Sequence, residues 1–324
     1  RGNRGRQLRA ALLWTGNPLL LQVLVAGEHV DSQAIVFAVA AVAAFTLALS
    51  RSSAGGSAYR CALLAAAAGV LAGLGFAVKL SLILIPAGLA AACLLARWNR
   101  PWFRAPAIPL LAGLAAGFAV VAAAALSIGG LTSIRSALSA GSYVAIGTPW
   151  RWVRAAISLA TGEGAADDIV KVAAAVAVLA LAWLMLRRLP GPASLDRPGG
   201  PAAGPWVIDA RAASLTARAA LAFALAWLTA GPYILPWYDA LAWALLPLLP
   251  WSTIDWLVLA RTTSLAVGYL PARTVALPAG MGWLITVVRR GVTPALLLAV
   301  AILLVVTLRS RQVTNRSVPA TGSA

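Results

Sequence analysis

Charged side chains are scarce in this sequence: 11% of the residues are Asp, Glu, Lys or Arg, whereas 61% are hydrophobic. The apolar runs also lack a regular polar stripe, which most helices of a water-soluble chain of this length would show. Stretches such as 34–50, 61–78 and 292–308 are almost uninterruptedly apolar, and about 20 such residues suffice for a helix to cross a bilayer. These absences exclude a water-soluble protein and predict an all-α, polytopic membrane protein.

Cysteine and histidine are equally scarce, with two Cys and one His in the chain. Cys61 and Cys93 fall in or near apolar runs, so they are not a disulfide framework and are expected to be small buried hydrophobic residues. No set of spaced metal ligands appears beyond His29 and Asp31. The sequence therefore predicts no cofactor, and it leaves a divalent metal open.

Acidic residues number nine against 26 Lys and Arg, which gives a formal net charge of +17. The distribution of this charge matters more than its sum. Most arginines, among them Arg51, Arg60, Arg187 and Arg188, fall on one side of the apolar runs and mark it as cytoplasmic by the positive-inside rule. Most acids fall on the other side. The charge thus orients a cell-membrane protein with both ends of this chain in the cytoplasm, and it does not indicate a nucleic-acid partner.

Ten apolar segments alternate across the membrane without a misplaced charge cluster. They are 10–27, 33–50, 60–78, 80–96, 106–127, 168–187, 216–234, 236–250, 254–270 and 292–308. The segment 236–250 is short enough to be tilted or re-entrant. The sequence therefore predicts a transmembrane helical bundle of about ten spans.

Two long connections divide the chain. Residues 1–187 are predicted to form a first transmembrane section, and its outer loop at 128–167 has the composition of interfacial helices. Residues 188–215, rich in Pro, Gly and Ala, are predicted to be a cytoplasmic linker. Residues 216–310 form a second transmembrane section, and 311–324 a disordered tail. Because the chain begins at Arg1 without a signal-peptide pattern, we expect it to start inside a longer protein.

The unusual polar residues converge on the predicted outer face. They are Glu28, His29 and Asp31 in "LVAGEHVD", Lys79 in "GFAVKLSLILIP", and Tyr238 and Asp239 in "TAGPYILPWYDA". Ionisable groups at membrane depth are costly and are a functional hypothesis by default. The outer arginines are Arg135, Arg151, Arg154, Arg273, Arg289 and Arg290. A carboxylate or imidazole could act as general base on a hydroxyl, while cations hold a phosphate. This combination suits group transfer from a lipid phosphate.

Structural interpretations of the same residues stay open. The Glu28–Asp31 turn could end two helices at water, with Asp31 as a helix cap. Lys79 could mark a tight turn and snorkel, and Asp239 could be an N-cap after a proline turn. Arg135, Arg151 and Arg154 could be a solvated interfacial face. Arg261 lies inside a predicted span, so either it pairs with a carboxylate or the span is misplaced.

Three stretches carry a resemblance to a known family: "LLWTGNPLLLQVLVAGEHVD", "LAGLGFAVKLSLILIPAGL" and "AGPYILPWYDALAWALLPLL". They resemble the actinobacterial polyprenol-phosphomannose-dependent α-1,6-mannosyltransferases, which belong to the GT-C class of integral-membrane glycosyltransferases. The shared pattern is an Asn-Pro-Leu segment followed by a Gly-x-His-x-Asp turn, then a Val-Lys turn and a Pro-Trp-Tyr turn. The resemblance covers most of the chain in organisation and these three motifs in detail.

The resemblance implies a GT-C-like fold and a mechanism. Such an enzyme transfers a sugar, here expected to be mannose, from a polyprenyl-phosphate donor to a glycan or glycolipid acceptor on the extracytoplasmic face. An acidic residue acts as base on the acceptor hydroxyl, and the lipid phosphate leaves. The implied partners are the donor, the acceptor and membrane lipid.

The resemblance also implies roles for residues. His29 and Asp31 match the His-x-Asp turn, and with Glu28 they are the catalytic candidates. Lys79 matches the Val-Lys turn and is expected at the donor phosphate. The other substrate-binding candidates are Trp237, Tyr238, Asp239, Arg273 and Arg289.

The chain departs from the family pattern in two ways. Glu28 replaces a small or polar neutral residue, and Val30 stands where relatives often carry Asn. The catalytic acid of GT-C enzymes usually lies in a first outer loop that this chain lacks, so the base either precedes Arg1 or is Asp31. A transporter or flippase of lipid-linked sugars and a noncatalytic glycosyltransferase-like protein are the alternative functions.

Overall fold

The computed structural model describes residues 4–17, 20–21, 30–99, 107–141, 143–189, 208–269, 277–278 and 280–314. Within these ranges the ordered elements are helices, and no residue is in a β-strand. The all-α prediction is therefore confirmed for the part of the chain that is described.

Eleven α-helices are described. The first six are α1 Arg4–Leu13, α2 Asp31–Ser53, α3 Ala58–Val78, α4 Leu84–Asn99, α5 Ala107–Gly141 and α6 Trp150–Thr161. The remaining five are α7 Glu163–Arg188, α8 Ala210–Ala230, α9 Ala240–Leu245, α10 Thr253–Tyr269 and α11 Thr293–Thr314. Short 3₁₀-helices cover Leu80–Ile83, Pro236–Asp239 and Leu246–Leu248, and a π-helix covers Leu284–Val292.

Seven helical segments are long and apolar enough to cross a membrane, as in a multi-pass membrane protein. They are Asp31–Ser53, Ala58–Val78, Leu80–Trp98, Ala107–Gly130, Glu163–Arg188, Ala210–Ala230 and Leu284–Ser310. Each corresponds to one of the ten predicted segments. The polytopic membrane class is thus supported by the structure, while the count of ten spans stays a prediction.

The three other predicted segments differ from a simple span for separate reasons. Residues 18–19 and 22–27 of the segment 10–27 lie outside the described residues. The segment 236–250 is divided among a 3₁₀-helix, the six-residue α9 and a second 3₁₀-helix, because Pro236, Pro247 and Pro250 interrupt regular helical hydrogen bonding. Helix α10 has 17 residues and is about 25 Å long, a little shorter than the roughly 30 Å hydrocarbon core.

Two compact units make up the chain. The first comprises Arg1–Gly141, Pro190–Leu225 and Trp237–Pro250, and the second comprises Ser142–Leu189, Ala226–Pro236 and Trp251–Ala324. The predicted linker 188–215 is described only at its ends, and α8 already begins at Ala210. Helix α11 continues to Thr314, and the rest of the predicted tail lies outside the described residues. The division into two membrane sections stays a prediction.

Small residues let the helices of the first unit approach closely. Helix α3 packs against both α2 and α5. A Cβ atom at Gly117 of α5 would lie 2.0 Å from the Ala66 carbonyl oxygen of α3, and one at Gly113 would lie 2.3 Å from the Ala62 carbonyl oxygen. Glycines four residues apart permit such backbone contact between membrane helices. The α3–α5 pair therefore depends on these two positions.

In the second unit, side chains donate hydrogen bonds to carbonyl groups at the end of α8. The last carbonyls of a helix have no partner within the helix. The Arg261 guanidinium of α10 donates to the Leu228 carbonyl near the end of α8, and the Trp150 indole nitrogen donates to the Ala230 carbonyl at 2.7 Å. Arg261 is buried within α10, and the predicted span at 254–270 stays a prediction. A cation at this helix end also complements the helix dipole.

Candidate functional site

A single extended residue separates two membrane helices of the first unit. Helix α3 ends at Val78, and Lys79 adopts φ −149° and ψ 116° before the 3₁₀-helix Leu80–Ile83 begins. The Lys79 N–H donates to the Gly75 carbonyl at 2.9 Å, and the Lys79 carbonyl accepts from the Leu82 N–H at 2.9 Å. The turn backbone is therefore fixed at both ends, and the Lys79 side chain leaves from a defined point.

Asp31 is the first residue of α2. Its N-cap neighbour Val30 makes no side-chain capping hydrogen bond, and the Asp31 carboxylate contacts the Lys79 ammonium instead. The interpretation of Asp31 as a simple helix cap thus does not describe its side chain. A carboxylate in the first helical turn is still favoured by the helix dipole.

The Pro236–Asp239 turn supplies aromatic side chains. Pro236 starts a 3₁₀-helix, which sets Trp237 and Tyr238 edge-to-face with ring centroids 6.0 Å apart. The Lys79 ammonium nitrogen lies 3.6 Å from the centroid of the Tyr238 ring, within cation–π range. Asp239 occupies the N-cap position of α9 without a capping hydrogen bond from its side chain, and it is fully buried.

Asp31, Lys79, Trp237 and Tyr238 form one group, which we call the Lys79 cluster. The side chains of Asp31 and Lys79 are 8% and 16% exposed, so their charges are largely removed from water. Burial by itself lowers the pKa of Lys79 to about 7, while the Asp31 carboxylate acts in the opposite direction and favours the ammonium. A buried ion pair with an aromatic neighbour is therefore the central electrostatic feature of the first unit.

Protein-family models, curated proteins and solved structures offer no match to this chain. The Lys79 cluster therefore has to be interpreted from its own chemistry. It combines a carboxylate that can accept a proton, a cation that can hold a phosphate and aromatic faces. A buried ion pair contributes little to stability by itself, so it is the chemistry of these groups that makes the cluster a candidate site.

The Lys79 cluster brings together four of the nine predicted site residues. Asp239 follows Tyr238 in the chain and is fully buried. Arg289 belongs to the second unit, where its guanidinium carbon lies 5.6 Å from the centroid of the Tyr269 ring. Glu28, His29 and Arg273 lie outside the described residues. Their predicted roles stay predictions.

No metal centre is evident in the described part of the chain, where no three His, Cys, Asp or Glu side chains are grouped to bind an ion. Because Glu28 and His29 are not described, this observation does not decide the question of a divalent metal. Cys61 and Cys93 are free and buried, as expected of small apolar residues.

The sequence analysis missed a second polar group, in the second unit. Arg151 and Arg154, which the sequence offers as a solvated interfacial face, line a cavity together with Tyr143, Asp167 and Lys171. The available signal was the spacing of three between the arginines, which puts them on one side of a helix.

Proposed function

We propose that this protein is a GT-C-like membrane glycosyltransferase. It transfers a sugar, with mannose as the first candidate, from a polyprenyl-phosphate donor to a glycan or glycolipid acceptor on the extracytoplasmic face. The observation that carries the proposal is the contact of Asp31 with Lys79 and of Lys79 with Tyr238. These residues come from three turns that are far apart in sequence, and each turn is one that the family resemblance singled out.

The reaction would form one bond and break one. The acceptor hydroxyl oxygen attacks the anomeric carbon of the sugar, and the bond between that carbon and the donor phosphate oxygen breaks. The hydroxyl proton passes to the Asp31 carboxylate, and the polyprenyl phosphate leaves with the bonding electron pair. Lys79 would stabilise the negative charge on the departing phosphate.

Donor binding would change the partners of Lys79. Without a donor, the Asp31 carboxylate pairs with the Lys79 ammonium. A phosphate that takes over Lys79 would release the Asp31 carboxylate from this pairing, so that it could accept the proton of the acceptor hydroxyl.

The remaining predicted residues have supporting roles in this proposal. The faces of Trp237 and Tyr238 would form a wall for the sugar, and Asp239 would bind substrate beside them. His29 and Glu28 would border the acceptor, and the expected contact of Arg273 or Arg289 with the donor phosphate stays a prediction.

The test is sugar transfer in proteoliposomes that contain the purified chain, polyprenyl-phosphate mannose and a mannoside acceptor, with product measured by mass spectrometry. Asp31→Asn should reduce the transfer rate by about 10²- to 10⁴-fold, the usual contribution of a general base. Lys79→Gln should also reduce the rate, while Lys79→Arg should retain part of it, since arginine also binds phosphate.

Asp209→Asn is the matched control. Asp209 accepts a hydrogen bond from the Arg211 N–H at 3.0 Å beside the start of α8, and asparagine can keep such a bond. This variant should transfer sugar at the unmodified rate. Full activity of Asp31→Asn would place the base elsewhere. An absence of product and of free polyprenyl phosphate would contradict the transferase proposal and favour a transporter of lipid-linked sugars or a noncatalytic protein.

A further inference from the structure

A cavity of about 400 Å³ lies within the second unit, beside α6 and the first turns of α7. Its polar lining consists of Tyr143, Arg151, Arg154, Asp167 and Lys171. We call this group the α6–α7 cavity. It takes no part in the proposed sugar transfer, and three of its five polar side chains are cations.

The arginines of the α6–α7 cavity differ in how they are held. The Arg154 guanidinium donates to both oxygens of Asp167, at 2.5 and 3.3 Å, so its planar fork is already oriented toward an oxyanion. Arg151 lies one helical turn earlier on the same side of α6. It forms no ion pair with any carboxylate in the described part of the chain.

The lining of the cavity itself holds three cations and one carboxylate, Asp167. Outside the lining, Glu163 lies 3.9 Å from Arg154 and Asp168 lies 3.1 Å from Lys171. The side chains of Glu163 and Asp168 are 85% and 79% exposed, and that of Lys171 is 45% exposed, so water and salt screen these pairs. Arg151 is therefore the cation of the lining on which binding of an anion depends most.

The cavity lies at one end of a candidate membrane span. Asp167 and Lys171 belong to the first turns of α7, which as a whole is long and apolar enough to cross a bilayer. Helix α6 has only 12 residues, too few to span a membrane, and it carries Trp150 and Trp152, a residue type enriched at membrane–water boundaries. The cavity is thus placed at the level of lipid headgroups.

We propose that the α6–α7 cavity binds a phosphate group. Arg151 would supply a guanidinium that pairs with no carboxylate among the described residues, Arg154 would share its fork between Asp167 and the phosphate, and Lys171 would add a point charge. A lipid headgroup and a dissolved phosphate or diphosphate present the same chemistry to these side chains. The site stands on residues separate from the Lys79 cluster, so it holds or fails independently of sugar transfer.

The experiment measures binding to the whole chain in nanodiscs of phosphatidylcholine. Titration calorimetry measures binding of inorganic pyrophosphate, which is the arm for a dissolved ligand. Native mass spectrometry after addition of phosphatidylglycerol measures retention of a lipid, which is the arm for a lipid headgroup. Arg151→Gln should weaken binding about tenfold in whichever of the two measurements detects a ligand. A loss of about tenfold is the effect expected when one hydrogen bond to a charged group is removed. Asp167→Asn should strengthen binding several-fold, because it removes the carboxylate that competes for Arg154.

The opposite signs of these two effects separate a site from general damage, since misfolding would weaken binding in both variants. Arg188→Gln is the control, because it removes the same charge as Arg151→Gln. Arg188 lies at the other end of α7, 21 residues from Asp167 and therefore about 31 Å away. This variant should bind the ligand as the unmodified chain does.

The two arms also identify the source of the phosphate. Binding of pyrophosphate would assign the cavity to a dissolved ligand, and retention of phosphatidylglycerol alone would assign it to a lipid headgroup. The proposal is overturned if neither arm shows binding, if Arg188→Gln weakens binding as much as Arg151→Gln does, or if Asp167→Asn fails to strengthen it.

Discussion

Lys79 carries its charge in surroundings that admit little water. Its side chain is 16% exposed, and its ammonium group contacts the Asp31 carboxylate and the face of the Tyr238 ring. Removing charges from water is costly, and the attraction within a buried pair offsets that cost only when both partners remain. The stability of the first unit should therefore be sensitive to the loss of either partner alone.

A double-mutant cycle tests this dependence. Asp31→Asn and Lys79→Met should each lower the free energy of unfolding by about 3–5 kcal/mol, because each leaves an uncompensated buried charge. The double variant should lose much less than the sum of the two. Thermal unfolding in detergent would measure all three, and additive effects would show that the two charges do not stabilise each other.

At the residue scale the sequence predicted the right residue types but not their contacts. The outer-face assignment grouped Asp31, Lys79 and Tyr238, and the structure brings these three together. The sequence could not show that Lys79 is paired with Asp31, since that contact depends on how the ends of α2 and α3 are aligned. Nor could it show that Arg154 is paired with Asp167.

Helices in the first unit are held together by close backbone approach. Gly113 and Gly117 of α5 face Ala62 and Ala66 of α3, where any Cβ atom would overlap a carbonyl oxygen. Between membrane helices, packing of small residues replaces the hydrophobic effect as a driving force. The spacing of four between the glycines was visible in the sequence, but the partner helix was not.

Substitution of one glycine tests this contact. Gly117→Ala should lower the free energy of unfolding by about 1–3 kcal/mol, the usual effect of overpacking, because its Cβ atom would meet the Ala66 carbonyl oxygen. Gly164→Ala is the matched control, since Gly164 lies in the first turn of α7 with open space around it. The control should leave the melting temperature unchanged or raise it, and an equal loss in both variants would contradict the packing argument.

The ends of helices were predictable where hydropathy changes sharply along the sequence. They were not predictable where backbone geometry sets the end of a helix. Helix α5 continues past the predicted span to Gly141, with a break at Gly130, whose φ of 65° is rare for residues with a Cβ atom. The segment 236–250 has the composition of a span, but its prolines divide it. That division creates the 3₁₀ turn from which Trp237 and Tyr238 project.

For the whole molecule, the distribution of arginine makes a topological prediction. The positive-inside rule places the connection between α2 and α3, which is flanked by Arg51 and Arg60, in the cytoplasm, and the start of α7 outside. After Cys61 and Cys93 are replaced by Ala, single cysteines can be introduced as Ser57→Cys and Gly164→Cys. A membrane-impermeant maleimide applied to intact cells should label the second variant and not the first.

Lysed cells supply the control, because both variants should then be labelled. The reverse pattern in intact cells would invert the topology and would place the Lys79 cluster on the cytoplasmic side. Labelling of both variants in intact cells would contradict the assignment of one or both connections.

The sequence by itself determined the membrane class of the protein and its helical secondary structure. It did so because apolar length and the scarcity of charge are properties of single segments, and a bilayer requires every backbone polar group of such a segment to be satisfied by a helix. Only the tertiary structure decided the pairing of Asp31 with Lys79, the contact of α3 with α5 and the α6–α7 cavity. These features depend on the register between helices that are distant in the chain, and local hydropathy carries no information about that register.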